Sequence, residues 1–126
     1  MAILLDTHAF LWWCQDAPDL SAKARKTIAN ADCFVSVATF WEIAIKCSLE
    51  KLRLPGTAER YLTEQMFLNG FEILDIGFRH TRGVISLPWR HRDPFDRLLA
   101  AQALEEGIPV VSRDRIFEDY GVERLW

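Results

Sequence analysis

The feature that most constrains this chain is the spacing of its short apolar runs. Residues 2–5, 33–37, 71–76 and 108–112 are largely apolar, and stretches of helical character separate them. Runs this short read as strands, not amphipathic helices. Their apolar residues follow one another instead of alternating with polar ones, as expected of strands buried on both faces in a parallel sheet. Between them, residues 10–14, 21–30, 39–52, 57–69 and 78–87 read as helices, with Gly70 as a C-cap and Pro88 as a stop. Asp93-Pro94 opens a long helix that runs to Glu106 and ends at Gly107, and residues 122–126 offer a short fifth strand. Strands alternating with helices predict an α/β fold: a three-layer α/β/α sandwich around a central, mostly parallel sheet of four to five strands.

Composition narrows the class. The 126 residues are half apolar and 26% charged, the balance of a soluble globular protein, and residues 1–126 are expected to form one domain. Cys14, Cys33 and Cys47 have neither CxxC nor CxxH spacing, which argues against a disulfide framework and a zinc finger. The start turns acidic at Asp6, too soon for a signal peptide, and no run approaches a membrane span. The expectation is a cytoplasmic protein with no membrane partner. The net charge of −3 makes a cationic DNA-coating protein unsuitable.

In such sheets ligands bind beyond the carboxyl ends of the strands, so those positions carry the argument. Asp6 follows the first strand, and Glu42 lies a turn into the helix after the second. Asp93 and Asp96 open the long helix, and Asp114 follows the fourth strand. Each acid has an ordinary role. Asp6 and Asp93 fit N-caps, and Thr39 to Glu42 fits a capping box. Glu42 also fits an i,i+4 pair with Lys46, and Asp114 an Asx-turn. Brought together on one rim, the acids would repel each other unless cations intervened. Oxygen ligands without His or Cys suit Mg²⁺ or Mn²⁺ and phosphate chemistry.

The flanking residues favour an anionic polymer. From position 79 to 97 there are five arginines against two aspartates, and Arg113 and Arg115 flank Asp114. Eleven of the fifteen basic residues are Arg, whose guanidinium matches phosphate in a bidentate way. Arg90, Arg92, Arg97, Arg113 and Arg115 are the candidates for gripping a phosphate backbone, against the plain alternative of a solvated face. Trp89 and His91 are either packing residues or surfaces for unpaired bases. His8, His80 and His91 show no metal-ligand spacing and read as polar or core residues.

Four segments together resemble the PIN-domain nucleases. They are Ile3-Leu4-Leu5-Asp6-Thr7, Ser36 with Glu42, the run from Asp96-Arg97-Leu98-Leu99 to Ala103, and Ser112-Arg113-Asp114 with Phe117. The run 91–103 and the ending Tyr120-Gly121-Val122-Glu123-Arg124-Leu125-Trp126 resemble a branch of small bacterial VapC-like toxins. The resemblance covers nearly the whole chain. It implies a PIN-like fold and a Mg²⁺- or Mn²⁺-dependent endoribonuclease that cleaves RNA with metal-activated water. It also implies the toxin role in a toxin–antitoxin pair, with an antitoxin partner and a homodimer. Its acidic quartet falls on Asp6, Glu42, Asp96 and Asp114. The resemblance implies Asp6, Asp96 and Asp114 as metal ligands, with Glu42 as a further ligand or a base and Asp93 as a further ligand or only a cap. Thr7 and Ser112 are the supporting polar residues. Many relatives carry a further acid where this chain has Ile116.

Three other readings compete. A catalytically weak RNA- or antitoxin-binding module would retain the fold without the chemistry. An aspartate-based phosphatase would use Asp6 as acceptor, but the acid usual two residues later is His8 here. A Rossmann cofactor domain lacks its GxGxxG. Phe10, Leu11, Trp12 and Trp13 place large apolar groups on several sides of one helix, for internal packing or for a partner surface.

Overall fold

Five parallel strands form one sheet in the order β3-β2-β1-β4-β5. They are β1 (Ala2–Leu5), β2 (Asp32–Ser36), β3 (Glu72–Leu74), β4 (Val110–Val111) and β5 (Arg124–Leu125). The computed structural model describes residues 1–89 and 92–126. Seven helices accompany the strands among the described residues: α1 (Thr7–Cys14), α2 (Ala22–Ala29), α3 (Val37–Ser48), α4 (Ala58–Asn69), α5 (Phe78–Ile85), α6 (Pro94–Glu106) and α7 (Ile116–Asp119).

The apolar runs become strands because both their faces are covered. Ile3 and Leu5 pack with Phe10, Ile28, Val35, Ile43 and Met66 on one side of the sheet. Leu4 packs with Leu87, Leu99, Ala100, Val110 and Phe117 on the other. Successive β1 side chains thus feed opposite layers, which is the strand period. The expected three-layer architecture holds. The strands are shorter than the apolar runs: β3 covers three residues and β4 two. Pairing ends where the neighbouring strand ends, whereas apolarity continues into the flanking loops.

The aromatic run on α1 is mostly internal. Phe10 is fully buried, and Trp12 and Trp13 are half-buried against the core. Phe10 meets Phe40 and Phe71, and Trp13 donates its indole N–H to Asn69 at 3.0 Å. Internal packing therefore accounts for most of this helix. Large exposed apolar side chains stand elsewhere: Phe67 and Leu68 on α4, and Phe78 and Ile85 on α5. All three cysteines are free, and burial pushes the Cys14 thiol up to about 12 and that of Cys33 to about 11. Thiols in that range are unreactive. Among the described residues, no helix is long and apolar enough to cross a membrane.

The chain runs outward from β1 to β2 and β3, then returns to place β4 on the opposite side of β1. The strand order therefore reverses between β1 and β4. A crevice beyond the carboxyl ends of strands is expected at that point.

Candidate active site

At that switch point lies a cavity of about 200 Å³, lined by Asp6, Thr7, His8, Glu42, Asp93, Asp96 and Asp114. All five acids singled out in the sequence come together there. The elements that deliver them differ, so the cluster depends on the tertiary fold and not on one local motif.

Asp6 ends β1 and caps α1, accepting the Ala9 N–H at 2.8 Å. Its capping role and its place in the cavity coexist. It is buried, and burial raises its carboxyl above the ordinary value. Hydrogen bonds from the Ser112 side chain and the Ala9 backbone offset part of that rise. The Ser112 Oγ also accepts the Asp114 N–H at 3.0 Å, so one buried hydroxyl ties the β1 and β4 exits together. Asp114 Oδ1 accepts the Ile116 N–H at 3.0 Å, the expected Asx-turn, while the residue stays exposed at the rim.

Glu42 behaves differently from a capping-box residue. The α3 helix starts at Val37, capped by Ser36, whose Oγ accepts the Ala38 N–H at 3.0 Å. Thr39 is already inside the helix, and Glu42 lies beyond the reach of the cap. Its Oε1 accepts the Thr7 hydroxyl at 2.7 Å, and its Oε2 pairs with Lys46 at 2.8 Å. The Thr7 hydroxyl also lies 3.2 Å from that of Thr39.

Asp93 caps α6 through its Oδ1, which accepts the Phe95 N–H at 2.9 Å, and it lines the cavity as well. Asp96, in the first turn of α6, has its carboxyl pushed up to about 7. Burial is the largest cause, followed by the charges of Asp93, Asp6, Asp114 and Glu42. Proximity of like charges in a poorly solvated hollow makes ionisation unfavourable.

Arg97 corrects one expectation. It was a candidate for the RNA-facing rim, but it is only 5% exposed. Its guanidinium donates to the carbonyls of Pro88 at 2.8 Å, Val84 at 3.3 Å and Leu87 at 3.4 Å. It also lies 4.1 Å from the centroid of the exposed Trp89 ring. Arg97 therefore anchors the chain leading into α6, and Trp89 covers that anchor. Arg92, Arg113 and Arg115 are exposed, whereas Arg90 and His91 lie outside the described residues.

Sequence reasoning missed Gln102, whereas it read His80 as a polar or core residue. Gln102, fully buried on α6, accepts the Ser36 hydroxyl and donates to the Asp75 carbonyl at 3.3 Å. It thereby fixes α6 against the β2–α3 junction, and so Asp96 against Glu42. His80 is buried: its Nδ1 accepts the Gly77 N–H at 2.9 Å, and its Nε2 faces Glu106 Oε1 at 2.9 Å. It locks α5 to the end of α6. A polar residue inside an Ala- and Leu-rich stretch is the one signal that marked Gln102.

The donor set fits a hard divalent cation. It consists of carboxylate and hydroxyl oxygens beside one histidine, among the described residues no Lys or Arg lines the cavity, and Asp96 holds its proton up to about neutral pH. Among the described residues no three acids already enclose an ion on their own. An ion here would keep part of its water shell, as Mg²⁺ habitually does. A second hollow of about 330 Å³, lined by Phe40, Glu59, Leu62, Thr63, Met66 and Ile73, is larger but offers little chemistry.

The PIN domain family model matches residues 3–123, and the chain belongs to that family. The fold described above agrees with that membership. Ribonuclease VapC22 of Mycobacterium tuberculosis is 30% identical over 115 residues, covering 90% of this chain and 87% of that protein. Among solved structures, VapBC2 from Rickettsia felis bound to a promoter DNA fragment aligns with a TM-score of 0.71 and 19% identity, over 100% of both chains. FitAcB from Neisseria gonorrhoeae aligns with a TM-score of 0.67 and 22% identity, over 97% of this chain and 95% of that one. At these identities the structural matches speak for the fold.

Proposed function

We propose that the chain is a Mg²⁺- or Mn²⁺-dependent endoribonuclease and the toxin component of a toxin–antitoxin pair. The observation that carries the reading is the convergence of Asp6, Glu42, Asp96 and Asp114 from separate elements on one cavity at the strand-order switch. Similarity to a protein named a ribonuclease supports the activity, and similarity to VapBC complexes supports the antitoxin partner.

Asp6, Asp96 and Asp114 are the residues that would hold the cation, with Asp93 or Glu42 as a further oxygen donor. When bound, a divalent ion supplies a Lewis acid that neutralises charge on a phosphodiester and favours hydrolysis by water. Glu42, held by Thr7 and Lys46, is placed to accept a proton from the attacking water. Ser112 keeps Asp6 and Asp114 in register. Arg92, Arg113 and Arg115 contact the RNA backbone outside the acidic centre. Water adds to phosphorus as the 3′ oxygen leaves, giving 5′-phosphate and 3′-hydroxyl ends.

The exposed Phe67, Leu68, Phe78 and Ile85 supply apolar surface for protein partners, an antitoxin and a second copy of the chain. Cytoplasmic residence follows from the proposed substrate.

The test is cleavage of structured and single-stranded RNA by wild type and Asp6→Asn, with Mn²⁺, Mg²⁺ or EDTA. The expected result is cutting by wild type with either metal, none in EDTA and none by Asp6→Asn. Cyclic-phosphate or 3′-phosphate ends would refute the hydrolytic route. RNA retention without cutting would favour the binding module.

A further inference from the structure

We propose that His8, backed by Trp12, is a stacking platform for an unpaired nucleobase beside the phosphate held in the acidic cavity. The proposal rests on the nuclease reading and names how that same site would grip its substrate.

Position comes first. His8 lines the cavity with the acids, and its ring is the one aromatic surface among the lining residues. The carboxylates offer a phosphate a cation site but give a base no face to lie on. His8 is exposed, and among the described residues its ring nitrogens make no hydrogen bond. Among the described residues the ring is thus committed to no hydrogen-bond partner, although it lies near enough to Asp6 to feel its charge.

Geometry comes second. The His8 and Trp12 rings lie nearly parallel, with centroids 5.4 Å apart and planes 17° from each other. The two residues are four apart on α1 and therefore share a helix face. Trp12 is half-buried against the core and meets Trp126 at 5.9 Å. An exposed ring is thereby fixed in one plane by a supported ring below it, and Asp6 caps the same helix. Platform and ligand carboxylate are thus carried by the start of one helix.

Chemistry comes third. Stacking accepts any base because every base has a π face, and it demands that the base be unpaired. The site would therefore select single-stranded segments or loops over duplex, with little base discrimination at that position and a preference for the larger purine face.

The experiment uses single-stranded RNA oligonucleotides with 2-aminopurine placed at successive positions. Wild type, His8→Ala and His8→Phe are compared, with Mn²⁺ for cleavage and Ca²⁺ for binding. Fluorescence quenching on binding reports stacking directly. For His8→Ala the expected result is a KM raised about tenfold, with quenching lost. Its kcat should stay within about twofold. His8→Phe should restore both KM and quenching. Loss of kcat in His8→Phe equal to that in His8→Ala would show that the imidazole does chemistry and would overturn the platform. Normal cutting by His8→Ala with unchanged KM and quenching overturns the platform alone. His8-dependent quenching without any cutting supports the platform and refutes the nuclease reading. Neither quenching nor cutting overturns both.

Discussion

The Thr7 hydroxyl donates to Glu42 Oε1 across 2.7 Å, joining the first turn of α1 to the second turn of α3. With Lys46 on Oε2, both oxygens of a buried carboxylate are engaged and its orientation is set. Thr7→Val keeps the shape and removes the donor. A buried acceptor left unpaired costs about 1–3 kcal/mol. The expected outcome is that loss in urea denaturation, together with a kcat reduced about tenfold and a KM little changed. Thr7→Ser should recover most of both. Recovery of neither would show that the methyl group, not the hydroxyl, matters at this position.

Arg97 is predicted to act on folding and not on RNA. Its guanidinium satisfies three backbone carbonyls and lies under the Trp89 ring. Arg97→Met should destabilise by about 1–3 kcal/mol, because the buried guanidinium's bonds are lost and the carbonyl of Leu87, buried with it, loses that donor. RNA affinity per folded molecule, measured by filter binding at low temperature, should stay within about twofold, and its salt dependence should not change. By contrast, Arg113→Ala and Arg115→Ala should each leave stability within about 0.5 kcal/mol and flatten the salt slope.

These two cases show what the sequence could reveal. The acids were legible because a carboxylate after a buried strand or in a helix's first turn sits at a strand end in any parallel α/β fold. The strands were legible because burial on both faces leaves an unbroken apolar run. The orientation of Arg97 was not, since a guanidinium at the second turn of a helix faces solvent or the interior according to which loop packs over it. The start of α3 was ambiguous for a related reason: Ser36 and Thr39 are both competent caps three residues apart. The choice fell to Ser36 because its hydroxyl also meets Gln102 across the domain. His8 carried no signal, because a platform is defined by ring planes and by its neighbours in space.

Ser36 and Gln102 should be energetically coupled. Ser36→Ala removes the donor to Gln102 and the cap of α3, and Gln102→Leu leaves the Ser36 hydroxyl buried without its acceptor. Each single change should cost about 1–3 kcal/mol. The double mutant should be more stable than the sum of the two losses by at least about 0.5 kcal/mol. Strict additivity in a denaturation cycle would mean that the two residues act separately. In both single variants cleavage should fall more than RNA binding, since the pair sets α6 relative to α3 and touches no substrate.

Divalent-ion binding should depend on pH through Asp96. Its carboxyl is raised to about 7, first by burial and then by the neighbouring acids, so below that pH a proton occupies the site an ion would take. Mn²⁺ should therefore raise the Tm more at pH 8 than at pH 5.5. At about a hundredfold excess over Kd the gain at pH 8 corresponds to about 2–3 kcal/mol. Melting curves in Mn²⁺ and in EDTA at both pH values check this. An equal gain at the two would place the ion away from Asp96.

Asp96→Asn should make the metal-free protein more stable while abolishing cleavage. The folded carboxyl titrates at about 7 and an ordinary one at 3.8, so between those values the folded state binds more protons than the unfolded state. By linkage, stability then falls as pH rises through that window and levels off above it. Asn keeps the size of the side chain and cannot ionise, which removes that penalty. The Tm advantage of Asp96→Asn over wild type in EDTA should be absent near pH 4, grow towards pH 7 and remain constant to pH 8. In Mn²⁺ at pH 8 the order should reverse, because only the wild type keeps the charge that holds the ion. Melting curves of the two proteins across that range, with and without Mn²⁺, test the relationship directly. An advantage that is already full at pH 4 would trace to packing instead of to the buried charge.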